Sequence, residues 1–531
     1  MNRSNNTFLI FFLLTQLTCY FLYPLSATGK TDKPHISISE VKKILKGNRI
    51  FVNYNLDNLK LTDTNLSNIS FLNTDLKKSD FSKTRMNNTL FQHADLSFAN
   101  LKKADMKGCK LKNCILNNAE LTDSLMNTSV IIDCKISSSD LARVNLRGAY
   151  INQTDMNDSN MVNINMSFSS IKDVDMSNVM LQKADLHGAN ISDTILKNAN
   201  MEKINLSGAK LEKTDMSSTK KYITNLSEAN LNHAILLSVN INASDLNSAY
   251  MPGAYISKCN FRAANLSNVN LSSAVIFKTD LINADLRYSI LRDSCLNNVD
   301  MRGANISGAD LKYAQIIQSV MKNAIMKGAH LENAYMAGSN LKGVDFSNAF
   351  LNKTNLMNTD LSNADFTNAV MEETNFRNAN LSYANFKKAN LSGLDMTGTN
   401  LTNADLSGIN LIGTRLLNAD LSKADIKRSN LSTASLKGAK LKNADMSNSI
   451  LKETIFINAD LSNAIFISAD LTGANFVNAV LKNTDFRQAS LNGADFSGAD
   501  LKGADFTDAK IEFSKNLMTA KNIKKAKGID R

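Results

Sequence analysis

The 531-residue chain has no tryptophan, three prolines, five histidines and six cysteines. A single proline, Pro252, falls between residues 51 and 511. Proline cannot donate to a β ladder, so this scarcity fits a long stretch whose backbone N–H groups are in use. Six cysteines in a chain of this size exclude a disulfide scaffold, and their spacing resembles no zinc site. There is no P-loop, GxGxxG, HExxH or EF-hand pattern. Beyond the first 27 residues no apolar run reaches the length a membrane helix needs. No cofactor or metal is expected, and the absence of any converging acid, base and nucleophile points away from an enzyme.

What the chain has instead is a period of five. From Phe51 to Ile511 there are 93 positions at this spacing, and 92 of them are Leu, Ile, Met or Phe; the exception is Lys221. Two residues before each centre stands a small residue, as at Ala459, Ala464 and Ala469. A fixed period this long marks a repeat architecture. Five residues fit neither regular element: on an α-helix the centres would smear around the surface, and on a flat strand they would alternate between faces. They point the same way only if the chain turns once per repeat. The centre then fills an axis, the small residue fills the corner beside it, and the Asn, Asp, Ser, Lys and Gly between them face water as turn residues. From Leu451 to Phe506 the centres alternate Leu, Phe, Leu, Phe. Four sides per coil would stack Phe456, Phe476 and Phe496 in one column and Phe466, Phe486 and Phe506 in the opposite one. Three sides would mix every column, so four are favoured.

Runs such as Ala404-Asp405-Leu406-Ser407-Gly408, residues 308–314 (GADLKYA) and residues 493–506 (GADFSGADLKGADF) resemble the pentapeptide repeat family, whose pattern is A-(D/N)-L-x-x. The resemblance covers about residues 51–511. It implies an all-β fold, a right-handed quadrilateral β-helix, and no single activity. Some members mimic DNA and interact with gyrase. This solenoid is not acidic, so that DNA-mimicking role is a distant alternative here, and nucleic acid is an unexpected partner.

Residues 1–27 read as a signal peptide, with Arg3, an apolar core near Phe8–Tyr23 and a cleavage motif at Leu25-Ser26-Ala27. Export follows from that reading, to a periplasmic, secreted or lumenal compartment; an uncleaved segment would be an N-terminal anchor. Residues 28–50 read as an N-terminal cap. Ser37 and Glu40 fit a capping box, and Ile38, Val41, Ile44 and Leu45 share one helix face. The inward corner residues Tyr54, Leu59 and Ile69 are bulky enough to pack against it. Residues 51–511 form the solenoid, about 23 coils and roughly 110 Å at a strand spacing of about 4.8 Å. Residues 512–531 leave the register and read as a basic C-terminal cap.

The formal net charge is +11, and it sits at the ends. Residues 28–50 and 512–531 each carry six basic and two acidic side chains. Within the solenoid the densest basic run, Lys77 to Lys112, reads as a solvated face. Lys521, Lys524, Lys525 and Lys527 lie close in sequence and are the candidate contact for an acidic protein or anionic surface. Lys221, at a core centre, is the break in the repeat: a local bulge is expected to turn it outward and bring Ile223 inward. Cys109, Cys114, Cys134 and Cys259 occupy inward small-residue positions, and four-sided winding stacks Cys114 on Cys134 at a spacing within disulfide range. Among the histidines only His93 and His233 would share a column, about 34 Å apart. The reading is an exported, non-enzymatic structural or protein-interaction rod; the alternative is a secreted effector or surface-associated protein docking through its basic ends.

Overall fold

A computed structural model describes residues 33–529. The signal-like segment 1–27 and the first residues of the N-terminal cap lie outside the described residues.

The ladder sets the shape. Asn55 pairs with Asp75, Lys60 with Asp80 and Asn65 with Arg85, all parallel and all twenty residues apart. One coil therefore takes four repeats, as the Phe columns require. Between coils, the Leu56 N–H donates to the Asp75 carbonyl at 2.7 Å and the Asp75 N–H to the Tyr54 carbonyl at 3.0 Å. We number the sides by the first coil: side one carries Phe51, side two Leu56, side three Leu61 and side four Leu66.

Each corner is a four-residue turn. The Ala99 N–H reaches back to the Leu96 carbonyl at 3.0 Å, and Phe98 between them has φ of 61°. Positive φ recurs two residues after the centre, as at Asn58 (56°), Lys83 (58°) and Gly108 (66°). Asn and Gly tolerate this region best, which explains their abundance there. The Asp or Asn before the centre holds the next backbone group: Asp95 Oδ1 accepts from the Ser97 N–H at 3.0 Å and from the Ser97 hydroxyl at 2.6 Å. The recurring carboxylates are thus turn chemistry. Where the corner residue is Ser or Thr, its buried hydroxyl often donates to a carbonyl, as from Ser79 to Leu56 at 2.8 Å, though those of Thr74, Ser124 and Ser129 find no partner.

The carboxylates carry a pH dependence. A hydrogen bond from the Arg287 side chain holds the Asp285 carboxyl below the ordinary range, and hydrogen bonds from the Thr507 side chain and backbone do the same for Asp505. A depressed folded pKa contributes stability that is present above the unfolded value, about 3.9, and is lost as pH falls through the folded value. Thermal melting is expected to hold steady from neutral pH to about pH 5 and to fall steeply below about pH 4. A midpoint flat to pH 2 would mean these turns add nothing.

Side one differs from the others along its first half. It forms fourteen three-residue parallel strands, from β1 (Ile50–Val52) to β14 (Gln315–Ile317), in one sheet ordered as in sequence. Here the corner-closing backbone bond is not formed among the described residues; closed corners reappear at Ser339 (3.2 Å to Met336) and Ala379 (2.9 Å to Phe376). The centres of this side include Ile131, Ile151, Ile171, Ile191, Ile256, Ile276 and Ile316, and no isoleucine after that. A β-branched side chain favours extended backbone over a tight turn.

Both ends are covered. Helix α1 (Ile38–Lys46) has the expected capping box: Glu40 N–H to Ser37 Oγ at 3.3 Å, and Ser37 N–H to Glu40 Oε2 at 2.7 Å. Val41 is buried against the first coil, with Ile44 and Leu45 packed beside it, but Ile38, in the first turn of the helix, is 50% exposed. The C-terminal segment does not leave the winding as the lost register implies. Lys515, Lys521 and Lys527 pair with Asp495, Asp500 and Asp505. The sides there lengthen to six residues, each extra residue absorbed by a 3-10 turn, Leu517–Thr519 and Ile523–Lys525. Leu517 and Ala520 close the end of the core.

Candidate interaction surfaces

Among the described residues no His, Cys, Asp and Glu cluster has metal-binding geometry, and no helix is long and apolar enough to cross a membrane. A cavity in the axis, lined by residues that include Met251, Phe261 and Leu271, measures about 10 Å³, room for one water at most. His35 Nε2 lies 2.6 Å from Asp57, and His330 stacks on Phe350 at 4.6 Å; neither stands beside a nucleophile. Cys114 and Cys134 are buried free thiols on adjacent coils, with the Cys114 N–H donating to Cys134 Sγ at 3.4 Å. The basic run does not form one face, and three of its lysines are ion-paired on three different sides: Lys77 bridges Asp75 (3.3 Å) and Asp95 (3.2 Å), Lys102 meets Glu120 at 2.8 Å and Lys107 meets Asp105 at 3.5 Å.

The irregularity of the rod is at Lys221. Up to this point pairs are twenty residues apart; across it they are twenty-five, as in Asn200 with Asn225 and Asp215 with Asn240, and then twenty again from Asn225 to Asp245. One pentapeptide, Thr219–Ile223, is extruded whole. A lysine at the axis would bury an unpaired charge at a cost of several kcal/mol, so the winding skips the repeat and resumes with Leu226. Lys221 is exposed and its ammonium sits 4.9 Å above the Tyr222 ring. Ile223 does not turn inward: it is 65% exposed, beside Tyr222 at 52%. Thr224 takes the inward corner instead, its N–H donating to Ser218 Oγ at 2.8 Å and its hydroxyl to the Ser217 carbonyl at 3.0 Å. The loop is also tied at its start, where the Thr219 N–H reaches Asn198 Oδ1 at 3.1 Å and the Tyr222 carbonyl at 2.9 Å.

The extrusion shifts every later column by one side, which the bare period of five conceals. His93 follows Phe91 on side one, whereas His233 follows Leu231 on side four, so the two do not share a column. Removing Thr219–Ile223 joins Ser218 to Thr224 and leaves an ordinary 20-residue coil. That deletion is expected to keep the circular dichroism spectrum and change stability by less than about 1 kcal/mol, as for surface changes generally.

At the C-terminal end Lys521, Lys524, Lys525 and Lys527 are all exposed and form no ion pair among the described residues. The backbones of Lys521 and Lys527 belong to the last, open-edged coil, while Lys524 and Lys525 ride on the second 3-10 turn. The four therefore surround one corner, between two adjacent sides, rather than lying on one face.

Comparison with known proteins agrees with this geometry. A family model described as pentapeptide repeats (8 copies) matches successive stretches from 55–92 to 469–508. One break, between 184–220 and 224–262, falls on the extruded loop. No curated protein matches the chain. Among solved structures, the plasmid-mediated fluoroquinolone resistance protein QnrB1 is 18% identical, with 40% of this chain and 92% of that one covered and a TM-score of 0.20. HetL, a pentapeptide repeat protein involved in heterocyst differentiation regulation from the cyanobacterium Nostoc sp., is 22% identical, with 50% and 98% covered and a TM-score of 0.16. A pentapeptide repeat protein from the Arabidopsis thaliana thylakoid lumen is 25% identical, with 20% and 69% covered and a TM-score of 0.12.

Proposed function

Because the chain belongs to the pentapeptide repeat family, we propose that it is an exported, non-enzymatic rod that recognises a protein partner through the Thr219–Ile223 loop. The carrying observation is the extrusion itself. The solenoid gives up a repeat to present Lys220, Lys221, Tyr222 and Ile223 to solvent on a rigid support. An exposed tyrosine and an exposed isoleucine beside two lysines have the composition of an interface centre. The loop is held at both ends by side-chain hydrogen bonds, so little order has to be imposed on binding. Export rests on the apolar segment 8–23 and its flanks.

The loop deletion tests the proposal. Protein recovered from its native compartment should begin near Thr28, and wild type should capture a partner that the folded deletion variant does not. A deletion variant that captures the same partner equally overturns the role of the loop, and an intact Met1 on soluble protein overturns export.

A second reading, docking of the basic C-terminal end on an anionic protein or membrane, is favoured by the exposed Lys521, Lys524, Lys525 and Lys527, which form no ion pair among the described residues. Each contributes at most about 1 kcal/mol near an anionic surface, and salt screens it. Replacing Lys521, Lys524, Lys525 and Lys527 by Gln is expected to abolish low-salt binding to phosphatidylserine vesicles; undiminished binding would remove this reading.

A further inference from the structure

Outward apolar residues occur on side one before the loop, as at Ile50, Val52, Val130, Ile132 and Tyr150, and give way to polar ones just ahead of it. On β9 (Lys210–Glu212) and on β8 (Asn190–Ser192) the two outward residues are polar. On the next five strands, β10 (Ile235–Leu237), β11 (Tyr255–Ser257), β12 (Val275–Phe277), β13 (Cys295–Asn297) and β14, the outward positions gather Ile235, Leu237, Tyr255, Val275, Phe277 and Ile317. Ile235, Tyr255 and Val275 stand directly in line on adjacent strands, and they are 39%, 41% and 41% exposed. None of these residues touches the axis, so core packing gives no reason for them. Ile235, Tyr255 and Val275 thus form a small contiguous apolar row, flanked by the half-buried Leu237 and Phe277 and interrupted by the outward Ser257.

The charge along the strip is one-sided. Lys258 and Lys278 stand two residues after their centres on adjacent coils, forming one long edge. Lys278 lies 4.9 Å from the Phe277 ring, and neither lysine pairs with a carboxylate among the described residues. The opposite edge beside the first three of these strands carries His233, Gly253 and Ser273, with no acidic side chain. Over β10 to β12 the strip thus combines an apolar centre with a basic flank and no acidic side chain on the opposite edge, while beside β13 that edge carries the exposed Asp293.

Its dimensions choose the occupant. Five strands at about 4.8 Å span about 19 Å, the length of about 13 helical residues, and two outward residues per three-residue strand make it about one helix wide. That footprint, on the order of 200 Å², is far below the roughly 800 Å² per partner of a stable rod-to-rod interface, and it is too narrow to need a membrane. We propose that side one from β10 to β14 is a docking strip for an acidic amphipathic helix of a partner protein, its apolar stripe lying along the rod and its carboxylates meeting Lys258 and Lys278. An apolar helix face recognised at i, i+3, i+4 and i+7 is a recurring mode of peptide capture.

The test titrates the full-length protein with a labelled 16-residue helical peptide that has Leu at i, i+3, i+4 and i+7 and Glu flanking them. Wild type is expected to bind it, and Tyr255→Ser with Val275→Ser to weaken binding at least tenfold without lowering the melting temperature, since both side chains point outward. Lys258→Gln with Lys278→Gln is expected to weaken it severalfold and remove its salt dependence, and a peptide with Lys in place of Glu should not bind. Deleting Thr219–Ile223 should leave this binding unchanged, which separates the strip from the loop. Three results overturn the proposal: no binding by wild type at millimolar peptide, equal binding by the Tyr255 and Val275 variant, or equal binding of the Lys peptide. Self-association of wild type abolished by the same outward substitutions would assign the strip to a second copy, and binding to anionic vesicles abolished by them would assign it to a membrane; either also overturns it.

Discussion

The double variant Lys221→Leu, Ile223→Gly is expected to wind the extruded pentapeptide into the solenoid and turn every coil after it by one side. Lys221 keeps the repeat out because an ammonium at the axis finds no partner there. With Leu at 221, Thr219 supplies a small corner residue and the pentapeptide becomes an acceptable repeat. Position 223 then falls two residues after the centre, where positive φ recurs. Isoleucine is a poor occupant of that region, so Lys221→Leu alone is expected to stay looped and near-neutral, and glycine removes the obstacle. The junction tolerates the shift: the centres before it are Met201, Leu206, Leu211 and Met216, and those after it Leu226, Leu231, Leu236 and Ile241, with no Phe column to break. Burying the new leucine contributes about 1.5–3 kcal/mol. Paired cysteines report the outcome. In the native winding Lys210 faces Ile235 on the next strand, so Lys210→Cys with Ile235→Cys should cross-link and Lys210→Cys with Asn230→Cys should not. In the double variant the preference should reverse. An unchanged preference would show that something other than Lys221 and Ile223 holds the loop out.

Phe476→Ala is expected to produce the largest loss of stability from a single substitution in the solenoid. Phe476 stacks on Phe456 at 5.1 Å and Phe496 at 5.2 Å, and meets Phe466 and Phe486 edge-on at 6.4 and 5.8 Å. Truncating a buried phenylalanine costs about 3–5 kcal/mol, and this one also loses four ring contacts of about 0.5–1.5 kcal/mol where geometry is favourable. Each coil touches only its neighbours, so the damage should be local. Urea unfolding of the variant is expected to show an early transition of the C-terminal coils, with hydrogen exchange rising after residue 456 and the β1–β14 half still protected. Phe261→Leu is the control. Phe261 has no aromatic partner in its stack and borders the small axial cavity, so its replacement should cost under about 1.5 kcal/mol. A single cooperative transition for Phe476→Ala, or equal losses at both sites, would refute the column argument.

The period of five determined the coil, because no helix or flat strand can point every fifth residue the same way. The alternation of Leu and Phe near the C-terminus determined the number of sides, because only uniform columns let rings stack. Ser37 and Glu40 announced the capping helix, because a capping box is a local hydrogen-bond pattern written within four residues. Lys221 announced a disturbance. Its form was decided only in three dimensions: whether a misfit repeat is buried, bulged or skipped depends on how the coils on either side stack, and skipping it moved His233 to a different side from His93. The strands of side one were likewise undecided by the repeat pattern, since every side shares that pattern and the preference of Ile131, Ile151 and their column for extended backbone accumulates only when they stack. The six-residue sides of the last coil followed the same rule: the period of five puts Asn516 and Lys521 at centre positions they cannot fill, yet the open ladder of the coil beneath them still offered N–H and carbonyl groups to pair, and the chain lengthened its corners to reach them. The apolar strip from Ile235 to Ile317 belongs to tertiary structure alone, because residues twenty apart in sequence become neighbours only once the winding, including the skipped repeat, is in place.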